Sequence, residues 1–174
     1  MVHRDAERHR GRRGVNAIRI RRATAEDRDF MFAQAARLAA VANLSWHADS
    51  DVLRFQHRFI ATTLARPEAE CSTFIAEGES AQLLGFVHIE SSTDSVTLEP
   101  CAYVALLAVI EAAQGQGVAA RLMEAAEDWA RRQGFRLIAL DVFANNQRAR
   151  AFYARHGYLE DSLRLTKPLA EKER

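Results

Sequence analysis

Lysine, cysteine and long apolar runs are scarce in this sequence. Only Lys167 and Lys172 are lysine among 24 basic residues, which is typical of genome composition rather than of a binding surface. Cys71 and Cys101 lack CxxC or histidine spacing, so they predict neither a disulfide framework nor a metal site, and we expect both in the core. Without an apolar stretch near ~18 residues or an apolar run behind the charged N-terminus, we expect a cytoplasmic protein with no membrane span.

The positive charge is concentrated at the front of the chain. Eight arginines against Asp5 and Glu7 give residues 1–22 a charge of +6, and the remainder carries −5. Such an arm can bind nucleic-acid or membrane phosphates, but "HRDAERHRGRRG" has almost no apolar residue to order it. We expect a disordered basic arm over residues 1–16, one domain over 17–170 and a tail over 171–174, and we do not expect a nucleic-acid or membrane partner.

The first half of the domain predicts a strand, two helices and a hairpin. "AIRIRRA" has strand alternation, and Thr24 and Asp27 are spaced as the capping box of a helix through "FMFAQAARLAAVA". "CSTFIAE" and "LLGFVHIES" predict a hairpin whose second strand places Phe86, His88 and Glu90 on one face. A second helix is predicted in "DVLRFQHRFIATTLA", with an apolar face of Val52, Phe55, Phe59 and Ile60.

The second half alternates strands and helices. The apolar segment 102–109 predicts a central strand, "LIALDVF" a further buried strand, "NQRARAFYARHG" a short helix, and "YLEDSLRLTKPL" a weak terminal strand or pair. The whole pattern is that of an α/β or α+β domain. A helix behind the glycine loop has an apolar face of Val118, Leu122, Ala125, Ala126 and Trp129.

The glycine loop "GQGVAA" satisfies the dinucleotide pattern GxGxxA, with Asp141 downstream. Five residues separate Val109 from Gly115, whereas a dinucleotide loop turns almost immediately after its strand, and too little chain follows Asp141 for a doubly wound sheet. No lysine follows the glycines, which excludes a P-loop. Either the loop binds an anion such as a pyrophosphate at the helix N-terminus, or it is a plain turn.

Two blocks resemble the GNAT superfamily of N-acetyltransferases. "LLAVIEAAQGQGVAARLMEAAEDWARRQG" is similar to its acyl-CoA-binding segment, with Gln114, Gly117 and Ala119 in the family's pattern. The resemblance covers residues 18–169 and implies a mixed, mostly antiparallel sheet of six to seven strands, about four helices and splayed central strands. "NQRARAFYARHGY" resembles the later motif, with matching residues Asn146, Ala149, Phe152, Tyr153, Gly157 and Tyr158.

The resemblance implies acetyl-CoA as donor and no metal. Tyr153 would protonate the departing thiolate, the alternative being that it only packs on Phe152. Asn146 would bond the donor arm, cap the last helix, or both, and the amide near Leu107 would hold the oxyanion. The residues expected to bind the donor are Leu107, Ala108, Val109, Gln114, Gly115, Gln116, Gly117, Val118, Ala119, Ala120, Asn146 and Tyr153.

The general base departs from a common pattern of the family. Ala105 and Leu106 stand where many relatives carry a carboxylate. Asp141, five residues before the motif asparagine, is at the position of a catalytic glutamate in some relatives, and it is either the base or a locally paired carboxylate.

The acceptor site is expected on the hairpin and in the connection between the early helices. His88 and Glu90 could bind or deprotonate an amine if their face lines the cleft. Trp46 either shapes the acceptor pocket or fills the core.

The function that the resemblance implies is transfer of an acetyl group to a primary amine in a ternary complex, since no cysteine is placed as a covalent carrier. A peptide N-terminus, a lysine and a small amine all fit as acceptors. The alternative is a non-catalytic acyl-CoA-binding or sensing module of the same fold. Relatives are often homodimers, and the sequence leaves the oligomeric state open.

Overall fold

A mixed five-stranded sheet, with strands in chain order, forms the centre of the described chain. The computed structural model describes residues 18–42 and 44–169, so the predicted basic arm and tail lie outside the described residues. Neighbouring strands are antiparallel except for the last pair, which is parallel. The strands are β1 (Arg19–Arg22), β2 (Cys71–Glu77), β3 (Leu83–Thr93), β4 (Pro100–Val109) and β5 (Ile138–Leu140).

Four helical elements accompany the sheet. The first is interrupted at Gln34 and consists of α1 (Arg28–Ala33) and α2 (Ala35–Ala40), followed by α3 (Asp49–Thr63), α4 (Val118–Arg132) and α5 (Gln147–Arg155). The predicted capping box is present, because the Asp27 carboxylate accepts a hydrogen bond of 2.7 Å from the Thr24 N–H. Arg21 also donates two bonds of 2.7 Å to Asp27, which fixes β1 to the start of the first helix.

Each face of the sheet carries its own apolar core. The predicted face of α4 packs on one side, and Val118, Leu122 and Trp129 are buried there. Helices α1, α2 and α3 cover the other side, where Ile60 of α3 contacts the buried cluster around Phe86. The predicted face of α3 is wrong in one residue: Phe55 is 42% exposed and stacks on Phe59, because the buried side of the helix follows Gln56, Ile60 and Thr63.

Both cysteines are buried free thiols, Cys71 on β2 and Cys101 on β4, as predicted for core side chains. No helix among the described residues is long and apolar enough to cross a membrane.

The C-terminal part of the sheet is smaller than predicted. The "LIALDVF" segment forms only the three-residue strand β5, with its central Ala139 exposed rather than buried. Residues 158–169 form no strand, so the sheet of the described chain has five strands instead of six to seven. The physical reason is that β5 pairs on one side only, and nothing covers the leucines that suggested a strand, Leu159, Leu163, Leu165 and Leu169.

Gly85 marks the closest approach of β3 to β4. A Cβ built there would lie 2.5 Å from the Ala108 carbonyl oxygen and 3.1 Å from the Val109 Cα, both backbone atoms. We predict that Gly85→Ala lowers the free energy of unfolding by about 1–3 kcal/mol through overpacking, and the midpoint by roughly 2–4 °C for each kcal/mol. Gly78→Ala is the control, since its Cβ would meet only the Leu84 side chain at 3.3 Å. Equal melting temperatures for the two variants would contradict this account.

Candidate functional site

The central feature of the site is a gap where β4 and β5 separate. Their parallel pairing extends only from Ala102 with Ile138 to Val104 with Leu140. β4 continues to Val109 without a β5 partner, so residues 105–109 border an open strand edge. This is the separation of central strands that the family resemblance implied.

A β-bulge lies where the pairing ends. His88 pairs with Leu106 and Ile89 with Val104, which leaves Ala105 as the extra residue of β4. A bulge bends its strand and increases the local twist. The end of the β5 ladder therefore coincides with a change in the direction of β4.

The backbone of β4 presents hydrogen-bonding groups to this gap. The Ile110 N–H donates to the Leu84 carbonyl, on the β3 side, at 2.9 Å. Since successive residues of a strand point their peptide groups to opposite sides, Leu107 and Val109 direct N–H and C=O into the gap. The carbonyl of Ala108, which was also predicted to bind the donor, faces β3 beside Gly85 instead.

The glycine loop forms an open cradle of N–H groups at the start of α4. Gly115 and Gly117 have φ values of 75° and 84°, and a Cβ on either would have nothing within 4 Å. The first helical bond runs from the Arg121 N–H to the Gly117 carbonyl at 3.1 Å, so the three N–H groups that precede Arg121 have no intrahelical acceptor. No acidic side chain lies in this turn. Free N–H groups, open space and the positive helix end fit an anion such as a pyrophosphate. The N–H groups without an intrahelical acceptor are those of Val118, Ala119 and Ala120.

Two glutamines and one arginine frame the cradle. Arg148 of α5 donates to Oε1 of Gln114, and Nε2 of Gln116 donates to the Ala112 carbonyl at 2.6 Å. Arg148 places a positive charge near the loop from a distant part of the chain. Sequence reasoning missed it, because no local pattern indicates a contact between residues 34 positions apart.

Asn146 begins α5, and its Oδ1 accepts the Ala149 N–H at 3.1 Å. The capping role that the sequence offered as one alternative is thus present, and the amide nitrogen of the same side chain is not used in the cap.

Tyr153 of α5 lies on the α4 side of the sheet. It packs against the apolar cluster to which Leu107 and Val109 of β4 also belong, and its ring meets Phe152 edge-on at 5.3 Å. Burial raises the pKa of Tyr153 to about 12. The phenol therefore keeps its proton at neutral pH and can act as a proton donor.

Asp141 follows β5 directly and lies on the opposite face. The Tyr103 hydroxyl of β4 donates to its Oδ2 at 3.0 Å. Burial and the adjacent Asp141 carboxylate together hold the pKa of Tyr103 well above its usual range. The predicted local pairing of Asp141 is therefore present. Tyr103 was missed because only the β4–β5 register brings the two residues together.

His88 and Glu90 share the same face as Tyr103, but they are partly enclosed. The imidazole ring of His88 contacts the Thr73 hydroxyl through Nδ1 at 2.7 Å and the Glu90 carboxylate through Nε2 at 3.5 Å. His88 is only 1% exposed, so it has no surface open to an acceptor, which corrects its predicted role. Burial, with Arg66 as a smaller cause, lowers the pKa of His88 to about 4, and burial raises the pKa of Glu90.

Trp46 stands in the connection between α2 and α3 and is 45% exposed, with its ring 6.3 Å from that of His47. The alternative that it fills the core is therefore wrong. Asn145, which the sequence did not single out, joins this connection to the loop after β5 by donating to the Ala42 carbonyl at 2.8 Å. Among residues 18–42 and 44–169, no three His, Cys, Asp or Glu side chains are grouped to hold a metal ion.

Comparison with known proteins relates this geometry to one family. The sequence model described as "Acetyltransferase (GNAT) family" matches residues 34–158. A mycothiol acetyltransferase of Jonesia denitrificans is 33% identical over 132 residues, which are 73% of this chain and 40% of that protein. The chain thus spans less than half the length of this curated relative.

Solved structures share the fold at lower identity. A putative acetyl transferase from Pyrococcus furiosus has a TM-score of 0.74 at 24% identity, over 88% of this chain and 100% of that chain. AAC(6')-Iy, in complex with the bisubstrate analogue CoA-S-monomethyl-acetylneamine, has a TM-score of 0.63 at 18% identity, over 89% of this chain and 100% of the other.

The buried His88 predicts acid-sensitive stability. Its pKa is lowered from 6.5 to about 4 in the folded chain, so the unfolded state binds the proton first as the pH falls. Stability present above pH 6.5 is lost as the pH falls to 4. We predict that the wild type loses up to about 3 kcal/mol relative to His88→Gln across this window, measured by urea unfolding at several pH values. The raised pKa of Glu90 changes the stability in the opposite direction as the pH falls, and it does so in both the wild type and His88→Gln. Parallel stability curves would refute the role of His88.

Proposed function

Because the chain belongs to the GNAT acetyltransferase family, we propose that it transfers an acetyl group from acetyl-CoA to a primary amine by direct attack in a ternary complex. The observation that carries this proposal is the gap beside β4, with the partly buried phenol of Tyr153 on one side of the sheet and the Asp141 carboxylate on the other. The cradle of N–H groups at α4 lies in the chain directly after the open strand edge.

In this proposal the backbone of the chain holds the donor. Leu107 and Val109 bond the pantetheine arm through peptide groups that β5 leaves unpaired, as an added strand would. The loop from Gln114 through Ala120 binds the pyrophosphate with its N–H groups, and Gly115 and Gly117 keep the approach open. Asn146 can direct its free amide nitrogen to the arm while its oxygen caps α5.

Acetyl-CoA, when bound, supplies a thioester acetyl group that a neutral amine can attack. Asp141 accepts the proton of the amine, directly or through a water molecule, and the Leu107 N–H stabilises the negative charge that develops on the acyl oxygen. Tyr153 donates its proton to the leaving sulfur. Base and acid are on opposite faces of the sheet, which separates the arriving amine from the departing thiol.

Direct transfer is supported by the position of the thiols. Cys71 and Cys101 are both buried, and neither lies on the open part of β4 between Ala105 and Val109. Burial also raises the pKa of both thiols, which disfavours the nucleophilic thiolate.

The acceptor approaches in this proposal from the face that carries Asp141, Glu90 and Tyr103. Glu90 is paired with Arg66 at 3.4 Å, so the exposed Asp141 carboxylate is the group that favours an amine arriving as a cation and losing its proton there. Exposed Trp46, in the connection tied to the loop after β5, gives this entrance an apolar wall.

The proton donor is tested by Tyr153→Phe. Loss of the phenolic proton is expected to lower kcat about 10²- to 10⁴-fold while the affinity for acetyl-CoA is retained. The assay is CoA release with a panel of a peptide N-terminus, a lysine peptide and small amines, together with calorimetric titration of acetyl-CoA. Tyr158→Phe is the control, since its hydroxyl bonds Glu127 at 3.2 Å instead. Unchanged turnover of the Tyr153 variant would exclude its acid role.

The cradle is tested by Gly117→Ala against Gly134→Ala. Both glycines have φ near 80° and open space where a Cβ would be placed, so both variants suffer a similar strain of about 1–2 kcal/mol. Only the Cβ at Gly117 would stand between the backbone and a phosphate. We expect acetyl-CoA to bind at least about 10-fold more weakly to the Gly117 variant alone, a loss of about 1.4 kcal/mol. Equal affinities of the two variants would contradict the cradle.

A further inference from the structure

We propose that Tyr103 is a positioning residue, which holds the Asp141 carboxylate in the orientation needed to accept a proton at the edge of the gap. This inference rests on the proposed role of Asp141 as the base. It concerns a residue that neither the family motifs nor the sequence pattern singled out.

The two residues differ in how firmly the fold holds them. Tyr103 is half-buried in the middle of the sheet and is paired on both sides, with Glu90 of β3 and Ala139 of β5. Asp141 is exposed and lies just beyond Leu140, the last residue of the β5 ladder. An exposed carboxylate after the end of a strand is free to rotate, so it needs a fixed partner to keep one orientation.

The strand register supplies that partner. Ala139 pairs with Tyr103, and Asp141, two residues further on, points to the same face as Ala139. The phenol thereby reaches Oδ2 of Asp141 at 3.0 Å. Oδ1 is not used in this bond and can face the amine. A rigid donor holding one oxygen of a catalytic carboxylate is the arrangement that preorganises a base.

Tyr103 is suited to act as donor only. Burial, the Asp141 carboxylate and more weakly Glu90 all raise the pKa of Tyr103, so the phenol stays protonated at neutral pH. It therefore does not compete with Asp141 for the proton of the amine. Glu90 sits opposite Tyr103 in the β3–β4 register, and it thus contributes to keeping the phenol in its donor form.

The chain contains a matched control for this pair. Tyr158 donates to Glu127 at 3.2 Å, a second phenol–carboxylate bond with similar geometry. That pair joins α4 to the residue after α5 and does not include Asp141, and Tyr158→Phe keeps the ring that meets Tyr153 edge-on at 5.6 Å. Removing its hydroxyl changes stability in a comparable way without touching Asp141.

The kinetic test combines Tyr103→Phe, Asp141→Asn and the double variant in a cycle. Tyr103→Phe is expected to lower kcat about 10- to 100-fold with an unchanged KM for acetyl-CoA. In the Asp141→Asn background the same change should cause no further loss, because Tyr103 acts only through Asp141. Tyr158→Phe should leave kcat at the wild-type level.

A spectroscopic test does not depend on activity. The chain has three tyrosines, and ultraviolet absorbance at high pH follows their ionisation. Asp141→Asn should lower the pH at which one tyrosine ionises, and Tyr103→Phe should remove that transition. An unchanged titration in Asp141→Asn would show that the pair does not form, and it would overturn the proposal.

The kinetic outcomes separate this inference from the proposed function. Full activity of Tyr103→Phe, or losses that multiply in the double variant, would overturn the positioning role alone. Wild-type activity of Asp141→Asn would remove both the base assignment and the positioning role, while amine-dependent CoA release would still support acetyl transfer. Absence of amine-dependent release by the wild type would overturn the proposed function, and the inference with it.

Discussion

The structure depends on a short parallel ladder between β4 and β5. Three residue pairs hold the strands together, and beyond Val104 and Leu140 they separate. The bulge at Ala105 lies at that point and redirects β4. The unpaired peptides of Leu107 and Val109, which would be costly if they were buried without partners, are thereby left at an edge where a ligand can satisfy them.

In the proposed reaction, the separation also assigns different chemical roles to the two faces of the sheet. On the α4 side, the apolar cluster surrounds Tyr153 and raises its pKa to about 12, so the proton stays on the phenol. On the α3 side, the apolar core around Phe86 gives way to the polar row of Glu90, Tyr103 and Asp141. In the proposed reaction, a molecule in the gap contacts both environments, with the phenol of Tyr153 on one face and the carboxylate of Asp141 on the other. In the proposed reaction, the fold thus separates the acid from the base.

Local sequence patterns predicted most helices and strands. Contacts that depend on the pairing of distant strands were not predicted. The capping box of Thr24 and Asp27, the buried face of α4 and the glycine turn before it each depend on residues of one short continuous segment, so the sequence contains the whole signal. The Tyr103–Asp141 bond joins residues 38 positions apart. Its geometry depends on a strand register that periodicity does not specify.

In residues 158–169 the sequence predicted a strand that the structure does not contain. The leucines of this segment alternate well enough to predict a strand, but residues 158–169 pair with no strand of the described chain, and Leu165 is 84% exposed. Apolar alternation indicates that a segment can pair and does not identify a partner. The same limit applies to His88, which lies on the predicted face and is nevertheless closed to an acceptor.

The most direct test of the account is two-substrate steady-state kinetics, in which acetyl-CoA and a primary amine are varied together and CoA release is measured. The account predicts that release depends on the amine and that double-reciprocal lines intersect, as in a ternary complex formed across the gap. Parallel lines would indicate an acyl-enzyme and contradict direct transfer. Binding of acetyl-CoA without amine-dependent release would contradict the assignment of the gap as a site of acetyl transfer.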